Sequence, residues 1–337
     1  MRNGALRSGV FAMSFLSNDE RVRQEAKAVL RGQAAQSLPF VTPAATKLTA
    51  VNFTPRRFSK IRDLIADFDS YLRAASAAAS PFVAFPELTG LVTLGTLPRA
   101  KSALCALREE LSDPETGAQA AKEAVQLTQG CVGEIFLNLF SELARTRKLL
   151  IAAGGFYVLE GDCIRNRQYL FSETGEVLIH QDKLILSETE RRLGVVPCGV
   201  LTPADTRIGK IALLTASCAR HYEPFFACAA LGCRIVAAGA SPFGEDASLL
   251  HCRAAEEALC VVSPGLLGGE DFSLSFSSPA EIHTPRAAPR PRREKTEIQK
   301  TLTSRTDLSA GGAALDHFAS DRNTAFFSAL LERKDPL

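Results

Sequence analysis

The 337-residue chain is 46% hydrophobic, long and apolar enough to bury a full core, and is read as one large domain with extensions. Its 39 basic and 37 acidic residues leave a formal net charge of +2, too balanced to demand nucleic acid or an acidic membrane surface as a partner. Nine cysteines without a CxxC pair read as reduced thiols of a cytoplasmic protein; no run reaches the ~20 apolar residues of a membrane span, and no signal peptide is evident.

Residues 1–46 form an N-terminal extension, partly helical. Ser17-Asn18-Asp19-Glu20 is positioned to cap a helix over Val22 to Leu30, broken afterwards by Pro39 and Pro43, and this helix is expected on the surface. From Lys47 short apolar runs alternate with helical patterns. Leu48 to Phe53 reads as a buried strand, Phe58, Ile61, Leu64, Ile65, Phe68 and Leu72 share one helical face, and Phe82 to Phe85 is the next strand.

A helix from Glu134 to Lys148 leads into a strand at Leu149 to Ala153, with hairpin turns at Gly161-Asp162 and Thr174-Gly175. Further strands are expected at Ile211 to Thr215, Arg234 to Ala238 and Leu259 to Ser263, with helices over Glu223 to Leu231 and Ala247 to Ala258. Alternating strands and helices give an α/β layered fold, and the central hairpins make its sheet mixed rather than purely parallel. Thr284-Pro285-Arg286 through Pro291-Arg292-Arg293 opens a Pro/Arg-rich loop and C-terminal tail, assigned to 283–337; it lacks the interleaved aromatics of a nucleic-acid surface.

Three stretches carry chemistry. Glu87 follows a strand at Phe85-Pro86, so its carboxylate projects from the carboxyl edge of a sheet, either as a base or as a salt-bridged strand end. Lys183 ends the strand that starts at Val177, where an ammonium can stabilise an oxyanion or simply face solvent; Glu190 follows inside Glu188-Thr189-Glu190-Arg191-Arg192, which also reads as a solvated charge run. Cys218 lies just past Ile211 to Thr215, near a strand-to-helix elbow that presents a thiol to substrate. His221 is a candidate substrate contact or a plain helix-start residue. A zinc site from Cys228, Cys233, His251 and Cys252 lacks the second knuckle such sites require.

In chain order, Val83-Ala84-Phe85-Pro86-Glu87-Leu88, Asn166 in Arg165-Asn166-Arg167, Asp182-Lys183-Leu184-Ile185-Leu186 with Glu190, and the segment from Gly209 to Gly232 resemble the motifs of the nitrilase or carbon-nitrogen hydrolase superfamily over residues 47–282. The resemblance implies a four-layer α-β-β-α sandwich with mixed sheets, a homodimer, and no metal or organic cofactor. It also implies cleavage of a non-peptide C–N bond in a small amide, nitrile or carbamoyl substrate: Cys218 as nucleophile, Glu87 as base, Lys183 as oxyanion stabiliser and Glu190 as the positioning carboxylate.

The alternative is a catalytically inactive homologue with a binding or regulatory role. Counting seven residues forward from Gly209, seven back from Glu223 or sixteen back from Gly232 reaches Ala216, which stands where the family's nucleophile falls. For Cys218 to act, the strand must gain two residues and the elbow lose two, a shift of about 6–7 Å in extended chain.

Overall fold

The structure is a computed structural model that describes residues 19–31, 46–58, 60–96, 110–113, 115–242, 248–272, 275–285, 300–306 and 308. Its elements run α1 (Asp19–Leu30), β1 (Thr46–Phe53), α2 (Ile61–Ala77), β2 (Phe82–Ala84), α3 (Gly117–Arg147), β3 (Leu150–Glu160), β4 (Cys163–Phe171), β5 (Val177–Asp182), α4 (Glu188–Arg192), β6 (Ala204–Thr206), β7 (Gly209–Thr215), α5 (Glu223–Ala230), β8 (Ile235–Gly239), α6 (Leu250–Glu256), β9 (Cys260–Ser263), β10 (Gly265–Gly268), β11 (Phe276–Ser278), β12 (Glu281–His283) and β13 (Thr301–Thr306). Short 3-10 turns cover Thr89–Thr96, Ala216–Arg220 and Glu270–Phe272.

Two mixed sheets form. In the first the order is β11-β10-β1-β2-β3-β4-β5, with β13 also paired to β1; in the second it is β12-β9-β8-β7-β6. Period-two alternation assigns each strand two faces. Leu48, Ala50, Phe82, Ala84, Leu150 and Ala152 of the first sheet meet Ile211, Leu213, Ile235, Ala237 and Val262 of the second in one buried layer. The opposite faces are covered by helices. Val51, Phe53, Val83, Phe85 and Ile151 pack against α1, α2 and α3, while Ala212, Leu214, Val236 and Val261 pack against α5 and α6. The result is the four-layer α-β-β-α sandwich expected from the motifs, centred on a sheet-to-sheet interface.

Several elements differ from expectation. α1 begins at Asp19 and is not a surface appendage: Val22 and Ala26 are fully buried in the core that α1 shares with α2 and α3, and Arg23 Nε donates to Asn138 Oδ1 of α3 at 2.8 Å. The proposed caps Ser17 and Asn18 lie outside the described residues. α3 starts at Gly117, 17 residues before the expected Glu134, because tertiary burial of Ala121, Ala124 and Val125 holds a helix across Gly130 and Gly133. Thr301–Thr306, assigned by sequence to the tail, is a strand that pairs antiparallel along β1 from Thr46↔Thr306 to Val51↔Thr301. Most of the Pro/Arg-rich run, residues 286–299, lies outside the described residues. Among the described residues no helix is long and apolar enough to cross a membrane.

Candidate active site

The site gathers where strands of both sheets end. Phe85 N donates to Ala152 O at 2.8 Å and Glu87 N to Ala240 O at 3.1 Å, so the segment beyond β2 is hydrogen-bonded to residues of both sheets. Two glycines make that passage possible. A Cβ on Gly154 would sit 2.0 Å from Pro86 O, and one on Gly239 2.9 Å from Glu87 N; Gly154 also has φ +69°. A side chain at either position would push Glu87 out of place. Thr89 Oγ1 closes the turn by donating to Pro86 O at 2.6 Å.

Lys183 follows β5, held by Lys183 N donating to Asn166 O at 2.9 Å. Its Nζ lies 3.0 and 3.3 Å from the two oxygens of Glu87 and 2.7 Å from Glu190 Oε2. Asn166, on β4, donates through Nδ2 to Glu87 Oε1 and, at 2.8 Å, to Glu190 Oε1, bridging the two carboxylates. The Lys183, Glu87 and Glu190 side chains are each 0% exposed. Two carboxylates and one ammonium out of water are tolerable only because each is paired and hydrogen-bonded.

Glu190 owes its position to a capping box. Ser187 accepts from Glu190 N at 3.2 Å, while Glu190 Oε2 accepts from Ser187 N at 3.0 Å and Ser187 Oγ at 2.9 Å. Burial pushes the Glu190 carboxyl up, but the Lys183 ammonium and hydrogen bonds from Lys183, Ser187 and Asn166 outweigh it and hold the group below the usual carboxylate range. Glu190 is therefore the fixed anion that anchors Lys183. The charge run around it is solvated except at this residue. Tyr157, not anticipated from sequence, adds a hydroxyl 3.4 Å from Glu190 Oε1; the Ser187-x-x-Glu190 spacing was a readable signal for the cap.

The elbow completes the corner. Thr215, the last residue of β7, pairs with Gly239, where a Cβ would lie 2.9 Å from Glu87 N, so β7 ends beside the strand end that carries Glu87. Ala216 is the first residue beyond β7 and is buried. Ser217 Oγ donates to Ile185 O at 2.9 Å, tying the elbow to the Lys183 segment. Cys218 Sγ lies 4.0 Å from Thr215 Oγ1, and its side chain belongs to the apolar cluster behind the second sheet, with Leu214, Phe225, Cys228 and Ala229. The structure thus brings Glu87, Lys183, Glu190 and Asn166 into direct contact and packs Cys218 among apolar side chains. His221 is exposed. Among the described residues, no group of three or more His, Cys, Asp or Glu side chains is placed to hold a metal ion.

A sandwich of this layering, with a buried Glu–Lys–Glu cluster at the strand ends, defines a nitrilase-type protein. The family model described as Carbon-nitrogen hydrolase matches residues 47–262, and the chain belongs to that family. Similar solved structures include an amidase from Nesterenkonia sp. (18% identity, covering 86% of this chain and 98% of that one, TM-score 0.55). Nit3 from Saccharomyces cerevisiae, a member of branch 10 of the nitrilase superfamily, is 15% identical over 85% of this chain and 96% of its own, with TM-score 0.57. The C. elegans NitFhit protein is 14% identical over 85% of this chain and 67% of its own, with TM-score 0.61. At these identities the likeness is one of fold. No curated protein matches the chain.

Proposed function

We propose that this member of the carbon-nitrogen hydrolase family binds a small amide-type ligand at the Glu87–Lys183–Glu190 cluster without cleaving it through a thiolate. The observation that carries the reading is the elbow: Ala216, which has no ionisable group, is the first residue past β7, beside the strand end of Glu87, while Cys218 packs into the apolar layer behind the sheet. Covalent catalysis requires a nucleophile at contact distance from its base, and a methyl group supplies none.

The retained groups suit recognition of a carboxamide. Lys183 offers an ammonium to a carbonyl oxygen, and Glu87 accepts from an amide N–H. Asn166 Oδ1 is buried with no hydrogen-bond partner among the described residues and supplies a second acceptor. Glu190 holds Lys183 and Asn166 in place rather than meeting the ligand. The test is calorimetry with a panel of small aliphatic amides, nitriles and their carboxylic acids, run beside an ammonia assay. Binding heat for an amide, with no ammonia released, is the expected result; release of ammonia above the uncatalysed rate overturns it.

A second reading has its own support. Cys218 is two residues from the elbow and within reach of Thr215, so a change of register at Thr215–Ser217 would bring its thiol toward Glu87. In that reading the protein is an amidase- or nitrilase-type hydrolase: Glu87 takes the thiol proton and later activates water, and Lys183 stabilises the tetrahedral oxyanion. Cys218→Ala separates the two, because only the hydrolase loses activity.

A further inference from the structure

The end of α5 brings two thiols together in a way the amide-site chemistry does not use. The helix stops in a Schellman turn: Gly232 takes φ +78°, Gly232 N donates to Ala229 O at 2.9 Å, and Cys233 N donates to Cys228 O at 2.9 Å. In that turn the third residue from the helix end and the second residue beyond the cap residue Leu231 have side chains that meet across the cap. Those positions are usually both apolar; here both are cysteine. Their thiols are hydrogen-bonded to each other, and both are reduced and buried in the layer behind the second sheet. The backbone bond from Cys233 N to Cys228 O holds the two residues side by side across the turn, the kind of proximity a disulfide requires.

We propose that Cys228 and Cys233 form a reversible disulfide that staples the C-terminal turn of α5. The co-reactant is a small-molecule disulfide, RSSR. The Cys233 thiolate attacks one sulfur of RSSR, breaking its S–S bond, forming the Cys233–SR mixed disulfide and expelling RS⁻. Cys228 gives up its proton and attacks the Cys233 sulfur, expelling the second RS⁻. The two protons released by the protein end on the two expelled thiolates, so two protein thiols and RSSR become one protein disulfide and two RSH.

The order of attack follows from the surroundings. The hydrogen bond from Cys228 holds the Cys233 thiol below its ordinary range, with Lys210 assisting and burial and Asp205 opposing, whereas the same bond and burial push Cys228 well up. Lys210 is fixed close by, its Nζ donating to Leu231 O at 3.1 Å. Access runs through fraying of the last turn of an eight-residue helix, where Leu231 is 44% exposed. Cys218 belongs to the same buried layer, so it is the competing partner.

Trypsin distinguishes the two outcomes on the wild-type chain, because cleavage after Arg220 and Arg234 leaves Cys228 and Cys233 on one peptide, His221 to Arg234, and Cys218 on the preceding one. The folded protein is incubated with oxidised glutathione, unfolded without reductant, alkylated with iodoacetamide and mapped by mass. The expected result is seven alkylated cysteines instead of the nine in the chain, with the His221–Arg234 peptide unalkylated, lighter by two hydrogens and restored by dithiothreitol. Nine alkylated cysteines, a persistent glutathione adduct on either residue, or a crosslink between the Cys218 peptide and its neighbour would each overturn the proposal.

Discussion

At the residue scale the site is a charge problem with an exposed weakness. Lys183 is the ammonium against which Glu87 and Glu190 are buried, both within 3.0 Å of its Nζ. Lys183→Met is expected to cost about 3–5 kcal/mol in urea denaturation at neutral pH, because it leaves two carboxylates out of water without that cation. Part of the loss should return at acid pH as the carboxyls take up protons; a variant as stable as wild type at neutral pH would show that the cluster is not held by charge. Glu190 predicts the acid limb of wild-type stability. Its folded-state carboxyl lies below the ordinary value, so its contribution is fully present above that value, about 4.3, and is lost as pH falls through the lower folded one. Glu190→Gln should flatten the stability-versus-pH curve in that window while lowering stability above it.

At the scale of elements, placement of the cluster depends on two close backbone approaches. Gly154→Ala puts a Cβ at 2.0 Å from Pro86 O on a residue with φ +69°, and is expected to destabilise the fold by about 2–6 kcal/mol by combining backbone strain with overpacking. A denaturation midpoint within error of wild type would refute that account of the Glu87 turn. The elements that set this geometry were legible in the chain where a local rule stood alone. The hairpin turns at Gly161 and Gly175 were read from their turn residues, and both have positive φ. So were the strands Leu48 to Phe53 and Ile211 to Thr215, from apolar runs of strand length. Other elements were hidden by competing signals. Interior glycines concealed the first half of α3, and flanking charges masked α4, whose capping box joins Ser187, just before the helix, to Glu190 within it. The short strands β10 and β11 contain glycine and serine and are held by pairing to neighbours, which no local pattern reports. Glu87, Lys183 and Glu190 were readable as candidates, and a Lys183–Glu190 pair was open to reading because the two lie close in sequence, but the contact with Glu87 joins residues 96 apart and no local pattern reports it.

Across the whole molecule, the sandwich is closed by contacts between distant parts of the chain. β13 lies on β1, and Thr49 and Thr303, 254 residues apart, share a 2.7 Å hydroxyl hydrogen bond. Thr303→Val leaves the buried Thr49 hydroxyl without this bond, and should lower stability by about 1 kcal/mol in urea titration, with no effect on ligand binding. A loss of binding would place β13 in the site rather than in the frame. The frame presents the acid–lysine corner at the carboxyl ends of both sheets, the place where layered α/β folds hold ligands, and Ala216 fills the position beside it. The most direct test is the rate at which the wild-type chain and Cys218→Ala release ammonia from small amides and nitriles, measured side by side. Equal rates at the uncatalysed level are the result expected of a binding protein whose elbow lacks a nucleophile; wild-type turnover that disappears in Cys218→Ala would contradict it and make Cys218 the working thiol.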